Sequence, residues 1–348
     1  PARIWRPRCA SSWHPTAPVR RELTATHMDP VVRWGIIGCG DVTEVKSGPA
    51  LQRARGSQLV AVMRRTGALA EDYARRHGVP RWYDDATPLL ESEDIDAVYI
   101  ATHPASHLEY VQRAAAAGKA VLVEKPMART ADECRAMIEA CESAGVPLWV
   151  AYYRRTLPRF LRVRDLIQDG AIGRVRAVHS RRFQRVSAEA WQNRPGLSGG
   201  GYFFDAACHA LDFLQFLFGP AVDAHGFAST HGRLGPQEDT VSAAYRFADG
   251  VIGSGLWCFD ADEDDDTTTV VGERGTLSFS VSAPRSILLS RTTGVEEIRI
   301  DDPPHVHQPL IQTIVDELHG EGRCPSTGRT ALATAELTDR LLADVIAR

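Results

Sequence analysis

The sequence predicts an α/β chain of two parts, a doubly wound parallel sheet followed by an α+β domain with a mainly antiparallel sheet. Three observations carry this. Short apolar runs alternate with amphipathic stretches from residue 31 to about residue 151, the pattern of βα units joined by right-handed crossovers. After about residue 153 the alternation gives way to consecutive strand-like runs. Two of those runs flank Ala248-Asp249-Gly250, and Asp-Gly between strands is a hairpin signal.

The elements follow in order. Val31 to Ile37 reads as a strand, Gly38-Cys39-Gly40 as a turn and Val42 to Leu51 as a helix. Strands at Leu59–Met63, Ile95–Ala101, Ala120–Val123 and Leu148–Ala151 alternate with helices at about Ala68–His77, His107–Ala117 and Ala131–Ala144. Beyond them come a helix over Pro158–Asp169, a strand over Val175–Gln184, Gly-rich residues 199–201 and a helix over Asp205–Phe218. Strands are expected at Thr240–Phe247, Val251–Phe259, Thr269–Val271, Thr276–Ser280, Ser286–Ser290 and Glu296–Ile300. Helices over Pro309–His319 and Thr330–Ala347 close the chain. The domains are placed at 29–152 and 153–348, with the last helix able to pack back on the first domain.

Residues 1–28 differ from the rest. They hold five arginines, one Glu and no periodicity, and Met28 then leads into the first strand. They read as a non-native or disordered extension, with an Arg-rich transit peptide as the alternative. Without them the net charge of −4 becomes −8, which argues against nucleic acid as a partner. No apolar run of about 18 residues occurs, so no membrane partner is expected. Seven scattered cysteines contain no C-x-x-C pair. This points away from structural metal and disulfides and toward a reducing, cytoplasmic setting.

Gly38-Cys39-Gly40-Asp41-Val42-Thr43 matches G-x-G-x-x-G except at its last position. Following a strand and opening a helix, it predicts a dinucleotide site, with Gly38 making the tight turn and Gly40 admitting the pyrophosphate near Asp41 and Val42. Where the second strand ends, an NAD enzyme carries an acid for the ribose, but this chain has Arg64 and Arg65. A guanidinium pairs with a 2′-phosphate that an acid would repel, so NADP is favoured over NAD; the plain alternative is a pair of solvated loop arginines. Thr102-His103-Pro104 and His107 follow the third strand, and Glu124-Lys125-Pro126 follows the fourth. Both lie at the sheet's carboxyl edge, where a ligand is expected.

Together these residues resemble the Gfo/Idh/MocA oxidoreductases. The resemblance runs from about Val31 to the C-terminus and rests on ordered motifs: residues 35–40, 100–107, 117–126, Tyr153-Arg154-Arg155, 170–175 and Gly-Gly-Gly-x-x-x-Asp-x-x-x-His-x-x-Asp at 199–212. It implies a Rossmann domain, a large open C-terminal sheet and a homodimer or homotetramer built through that sheet. It implies that Lys125 contacts nicotinamide and substrate and that His209 transfers a proton, with Asp205 and Asp212 as polar companions. Ala207 stands where the family usually has Gly. On a helix, Asp205, His209 and Asp212 fall within roughly 60° of one another, and Ala207, Leu211, Leu214 and Phe218 form the opposite, core-facing stripe. The bland reading of the same pattern is a helix cap and an i,i+3 pair.

The expected reaction is hydride transfer between NADP(H) and a sugar, polyol or related small molecule. His209 takes the hydroxyl proton, Lys125 stabilises the alkoxide and Asp212 orients the imidazole. Asp205, Tyr153 and Arg154 bind the substrate, Arg154 also touches the cofactor, and Trp191 offers a stacking face. Three alternatives stand beside it: a tightly NADP-retaining sugar–sugar oxidoreductase, a redox-neutral glycoside hydrolase and a non-catalytic NADP-binding regulator. Five consecutive acids, Asp262 to Asp266, read as a solvated loop rather than a cation site. His305 and His307 are left between the pocket and a subunit interface.

Overall fold

Short, almost wholly apolar runs are the mark of strands buried on both faces, and these set the first sheet. The computed structural model describes residues 31–343; the expectations for residues 1–28 and for the end of the last helix lie outside them. β1 (Val32–Ile37), β2 (Ser57–Met63), β3 (Arg81–Tyr83), β4 (Ala97–Ile100), β5 (Ala120–Val123) and β6 (Leu148–Val150) pair in the order β3-β2-β1-β4-β5-β6, all parallel. The order reverses between β1 and β4, which opens a crevice at the carboxyl ends of those strands. The sequence pattern missed β3 and the short helix Thr87–Glu91. Three partly exposed residues and five helical ones are too short to show a period.

The helix after β1 is irregular for a reason written in the sequence. Its Thr43–Ser47 stretch is π-helical before Gly48–Arg53 resumes α geometry. Pro49 has no N–H, so the carbonyl of Val45 lacks its helical donor. His305 supplies one, its Nδ1 lying 2.6 Å from that oxygen. This places His305 against the first domain.

The second sheet has eight strands, β7 (Val175–Arg185), β8 (Ala221–Ser229), β9 (Thr240–Phe247), β10 (Ile252–Cys258), β11 (Asp260–Gly272), β12 (Thr276–Phe279), β13 (Ile287–Arg291) and β14 (Gly294–Ile298). Their order is β14-β13-β12-β11-β7-β10-β9-β8, antiparallel except for β7 beside β10. One face is closed by the helices Pro158–Gln168 and Tyr202–Phe218, through Phe160 on Phe279, Phe203 on Trp257 and Phe218 on Phe247. On the other face strand alternation puts Ile252, Val271 and Leu288, all exposed among the described residues.

The acidic run corrects the sequence reading. Asp262 to Asp266 belongs to β11, not to a loop. Its neighbour β7 carries Arg181, Arg182 and Arg185, which meet Asp265 at 2.7 Å, Asp266 at 3.6 Å and Asp262 at 3.8 Å. Cross-strand pairing with cations removes the repulsion that made these residues look like loop. β8 was also missed; it is an edge strand with weak alternation. The helix Gly328–Leu341 reaches the first domain, where Asp339 accepts the Ala131 N–H at 2.9 Å and Glu336 pairs with Arg135 at 2.7 Å.

Candidate active site

The turn after β1 is shaped by what it must pass. Gly38 has φ +91°, and a Cβ there would stand 2.6 Å from the Thr102 methyl; only glycine meets both conditions without strain. Gly38 and Cys39 donate to the Met63 carbonyl at 2.8 and 3.1 Å. Thr43, in place of the fingerprint's third glycine, braces the turn. Its hydroxyl accepts from the Gly40 N–H at 2.9 Å and donates to the Gly40 carbonyl at 2.7 Å. Beyond Gly40 the nearest atom to an added Cβ is Arg64 Nη1 at 3.9 Å, which leaves the backbone approachable. A helix opens at Asp41 and Val42 directly after the turn, and its Thr43 and Glu44 N–H groups donate to the Gly40 carbonyl at 2.9 and 3.1 Å.

Arg64 and Arg65 follow β2 directly and are both exposed. Arg64 stands beside the glycine turn, and Arg65 is close enough to His103 to disfavour its charged form, after burial. Neither pairs with a carboxylate among the described residues. His103 in turn packs on Trp191, ring centroids 4.8 Å apart, so the two meet across the mouth of the cleft.

The centre of the cleft is built from both domains. Lys125, at the end of β5, donates to Asp205 Oδ1 at 2.8 Å and to the Asp205 carbonyl at 3.1 Å, and Gln192 holds the other Asp205 oxygen at 3.0 Å. Burial works against the Lys125 ammonium, but Asp205 outweighs it and holds the group charged, above its ordinary range. One turn beyond Asp205 on the same helix is His209, 8% exposed, its Nδ1 buried without a hydrogen-bond partner among the described residues. Burial first, then the charges of Arg154, Lys125 and Lys46, push His209 well below the usual histidine value. The imidazole is therefore neutral and able to accept a proton.

Tyr153 organises the remaining groups. Its ring lies 5.4 Å from that of His209 and 4.6 Å from that of His307, and the Arg154 guanidinium sits over it at 4.9 Å. His307 approaches Glu124 at 3.8 Å and is pushed down to about 3, chiefly by burial. Glu124 accepts from the Tyr99 hydroxyl and from the Lys125 N–H at 3.0 Å, and burial pushes its carboxyl up. Of the two histidines left open, His307 thus belongs to the cleft. Lys46, Gln192 and Tyr99 were not found from the sequence. They lie outside the motifs that carry the family resemblance, and only the fold brings them near these groups.

Two expectations are corrected. Asp212 does not hold His209. It is 1% exposed and forked onto Arg155, with contacts of 2.7, 2.9 and 3.2 Å, and Thr334 donates to it at 3.3 Å. The shared helix azimuth was right, but a helix rises about 1.5 Å per residue, so Asp212 lies roughly 10 Å below Asp205, past the cleft floor. His107 does not face the cofactor space either. It is wholly buried, its ring nitrogens at 3.1 Å from the Met127 carbonyl and 3.0 Å from the Thr102 carbonyl. It ties the ends of β4 and β5 together.

A Rossmann sheet with a glycine-turn nucleotide cradle, and a Lys–Asp–His cleft closed by a second open sheet, define a nicotinamide-dependent oxidoreductase. The chain belongs to the Gfo/Idh/MocA family. Residues 32–152 match its model for the oxidoreductase family NAD-binding Rossmann fold, and residues 160–278 match its C-terminal domain. The chain is 38% identical over 319 residues to "Oxidoreductase P35" of Formosa agariphila, covering 90% of this chain and 98% of that protein. It is 28% identical over 307 residues to the 1,5-anhydro-D-fructose reductase of Ensifer adhaerens, covering 85% and 91%. The fold superposes on the aldose–aldose oxidoreductase of Caulobacter crescentus with a TM-score of 0.83 at 23% identity, covering 91% and 98%. Among the described residues no helix is long and apolar enough to cross a membrane.

Proposed function

We propose that the chain is an NADP-preferring dehydrogenase or reductase acting on a CH–OH group of a sugar, polyol or related small molecule. Residues 29–152 hold the nucleotide and residues 153–348 hold the substrate. The observation that carries this reading is geometric: Lys125, ion-paired to Asp205 at 2.8 Å, stands at the carboxyl edge of the sheet, and His209, one helical turn beyond Asp205, has a buried Nδ1 with no hydrogen-bond partner among the described residues. NADP supplies the hydride acceptor or donor. Gly38, Gly40, Asp41 and Val42 receive its pyrophosphate, Thr102, His103 and Pro104 flank it, and Arg64 and Arg65 bind the 2′-phosphate. In oxidation, His209 takes the carbinol proton on its ring nitrogen while the Lys125 ammonium stabilises the developing alkoxide. Asp205 holds the lysine charged and positioned, and Tyr153 and Trp191 bound the substrate space.

The test is steady-state kinetics with NADP and NAD across a panel of sugars and polyols, for the unaltered protein and for Arg64→Ala/Arg65→Ala. Loss of a charge-assisted bidentate contact of about 1.5–3 kcal/mol raises the NADP KM some tenfold to a hundredfold and leaves the NAD KM within about twofold. An unaltered preference for NADP in the double variant would refute the 2′-phosphate assignment.

A further inference from the structure

Three arginines lie within six residues of one another after β6: Arg154, Arg155 and Arg159, each less than a tenth exposed. Two of them have carboxylates. Arg155 is forked onto Asp212, and Arg159 meets Asp302 at 3.3 Å and donates to the Ser280 carbonyl at 2.6 Å. Arg154 has none among the described residues. Its Nε donates to the Val281 carbonyl at 2.7 Å, and its Nη1 is buried with no partner among the described residues. A guanidinium does not shed its proton, and a buried charge without a counter-charge is costly. A protein that keeps such a group buried beside a cleft has it poised for an anion that arrives later.

The surroundings point the same way. Arg154 lies over the Tyr153 ring that also meets His209 and His307. Lys46, on the helix after the glycine turn, is exposed, makes no hydrogen bond or ion pair among the described residues, and acts electrostatically on His209, His307 and Glu124. On the negative side, Asp205 is already taken by Lys125 and Gln192, and Glu124 is buried against Tyr99 with its carboxyl pushed up. The cleft therefore carries surplus positive charge next to the proposed proton acceptor.

We propose that the substrate is a sugar or polyol bearing an anionic group, a carboxylate or a phosphoryl group, which docks on Arg154 with Lys46 beside it. This rests on the hydride-transfer reading for the carbinol that faces Lys125 and His209. A guanidinium edge suits the two oxygens of such a group. Docking also has a chemical consequence. After burial, Arg154 is the foremost cause depressing the proton affinity of His209, so an anion that neutralises Arg154 makes His209 a better base when substrate is present.

The experiment uses the NADP-loaded protein and its Arg154→Gln, Arg154→Lys and Lys46→Met variants. Two readouts are taken: kcat/KM for hydride transfer, and Kd by calorimetry. The probes are hexuronates and hexonates, hexose 6-phosphates, and the matching neutral hexoses and hexitols. One anionic class is expected to exceed its neutral counterparts by about tenfold or more in both readouts, and which class does so separates carboxylate from phosphoryl. Arg154→Gln collapses that ratio, Arg154→Lys restores part of it, and Lys46→Met, at an exposed position, lowers it in a folded protein. Anionic binding that is lost in Arg154→Gln without any hydride transfer sinks the hydride-transfer roles of Lys125 and His209 on that substrate and keeps the anion site. Equal affinity for neutral and anionic probes, no binding of any anionic probe at millimolar concentration, or an Arg154→Gln effect shared equally by both classes overturns the anion site.

Discussion

His209 and Asp212 sit three residues apart on one helix and have different work. His209 has a buried nitrogen that no described residue partners, and Asp212 has its oxygens filled below it. Replacing His209 with Ala is expected to lower kcat by about 10²–10⁴ with NADP affinity unchanged, measured by turnover and by nucleotide titration. Replacing Asp212 with Asn is expected to act on stability instead, because it strands a buried guanidinium. The loss is about 3–5 kcal/mol in urea unfolding, with the pH profile of the surviving activity unmoved. The pH dependence belongs to His209 and the groups facing it: Arg154, Lys125, Lys46, His307, Asp205, Tyr152 and Tyr153. Burial first, and then the neighbouring cations, favour the neutral ring and hold its titration well below the ordinary histidine value. Oxidation therefore stays flat as pH falls through about 6.5, where an ordinary histidine would protonate. Removing the Arg154 charge raises the His209 pKa, so the acid limb of kcat/KM moves to higher pH in Arg154→Gln. A limb that stays put or moves to lower pH contradicts the electrostatic account.

Among the elements, β11 shows how a charge run becomes structure. Asp266 is 4% exposed and accepts the Ser282 N–H at 2.6 Å, the Ala283 N–H at 3.2 Å and the Ser280 hydroxyl. It thereby shapes the turn that carries Val281, whose carbonyl holds Arg154. The acidic run thus positions a cleft residue through one turn, with no metal required. Asp266→Ala leaves buried donors unmet and is expected to cost about 1–3 kcal/mol in chemical unfolding, whereas the exposed Asp262→Ala does so within error. None of this was legible beforehand. The arginines that neutralise the run lie some 80 residues earlier in the chain, and local pattern cannot see a partner strand. The βα units were legible because their signal is local. Ala120–Val123 and Ala131–Ala144 have the bounds their apolar runs and flanking breakers announce. Thr130 caps the second of these through the Glu133 N–H, and Gly145 closes it at φ +69°.

At the level of the whole molecule, one face of the eight-stranded sheet carries exposed aliphatic side chains. Ile252 and Val271 flank Ala177 in register, and Leu288 stands on the same side two strands away. Exposed aliphatic residues along one face are the composition of an interface between copies. A homodimer or homotetramer through this face is the expected assembly. Light scattering on the purified protein should give two or four chains, and Ile252→Asp with Leu288→Asp should give one chain whose fold is intact by circular dichroism. A monomeric parent protein removes the face from consideration.

The sequence by itself determined the parallel sheet, the glycine turn, the positions of Lys125 and His209 and the family to which they belong. These depend on periods, turns and motifs spanning a few residues. Tertiary structure decided which side chains those residues meet. It gave Asp212 to Arg155, His107 to two backbone carbonyls and His307 to the cleft, and left Arg154 buried without a carboxylate among the described residues. The reason is physical. A helix or strand repeats its geometry from local dihedrals, but a charge is satisfied by whatever the packing of distant segments brings within a few ångströms, and that distance has no local period.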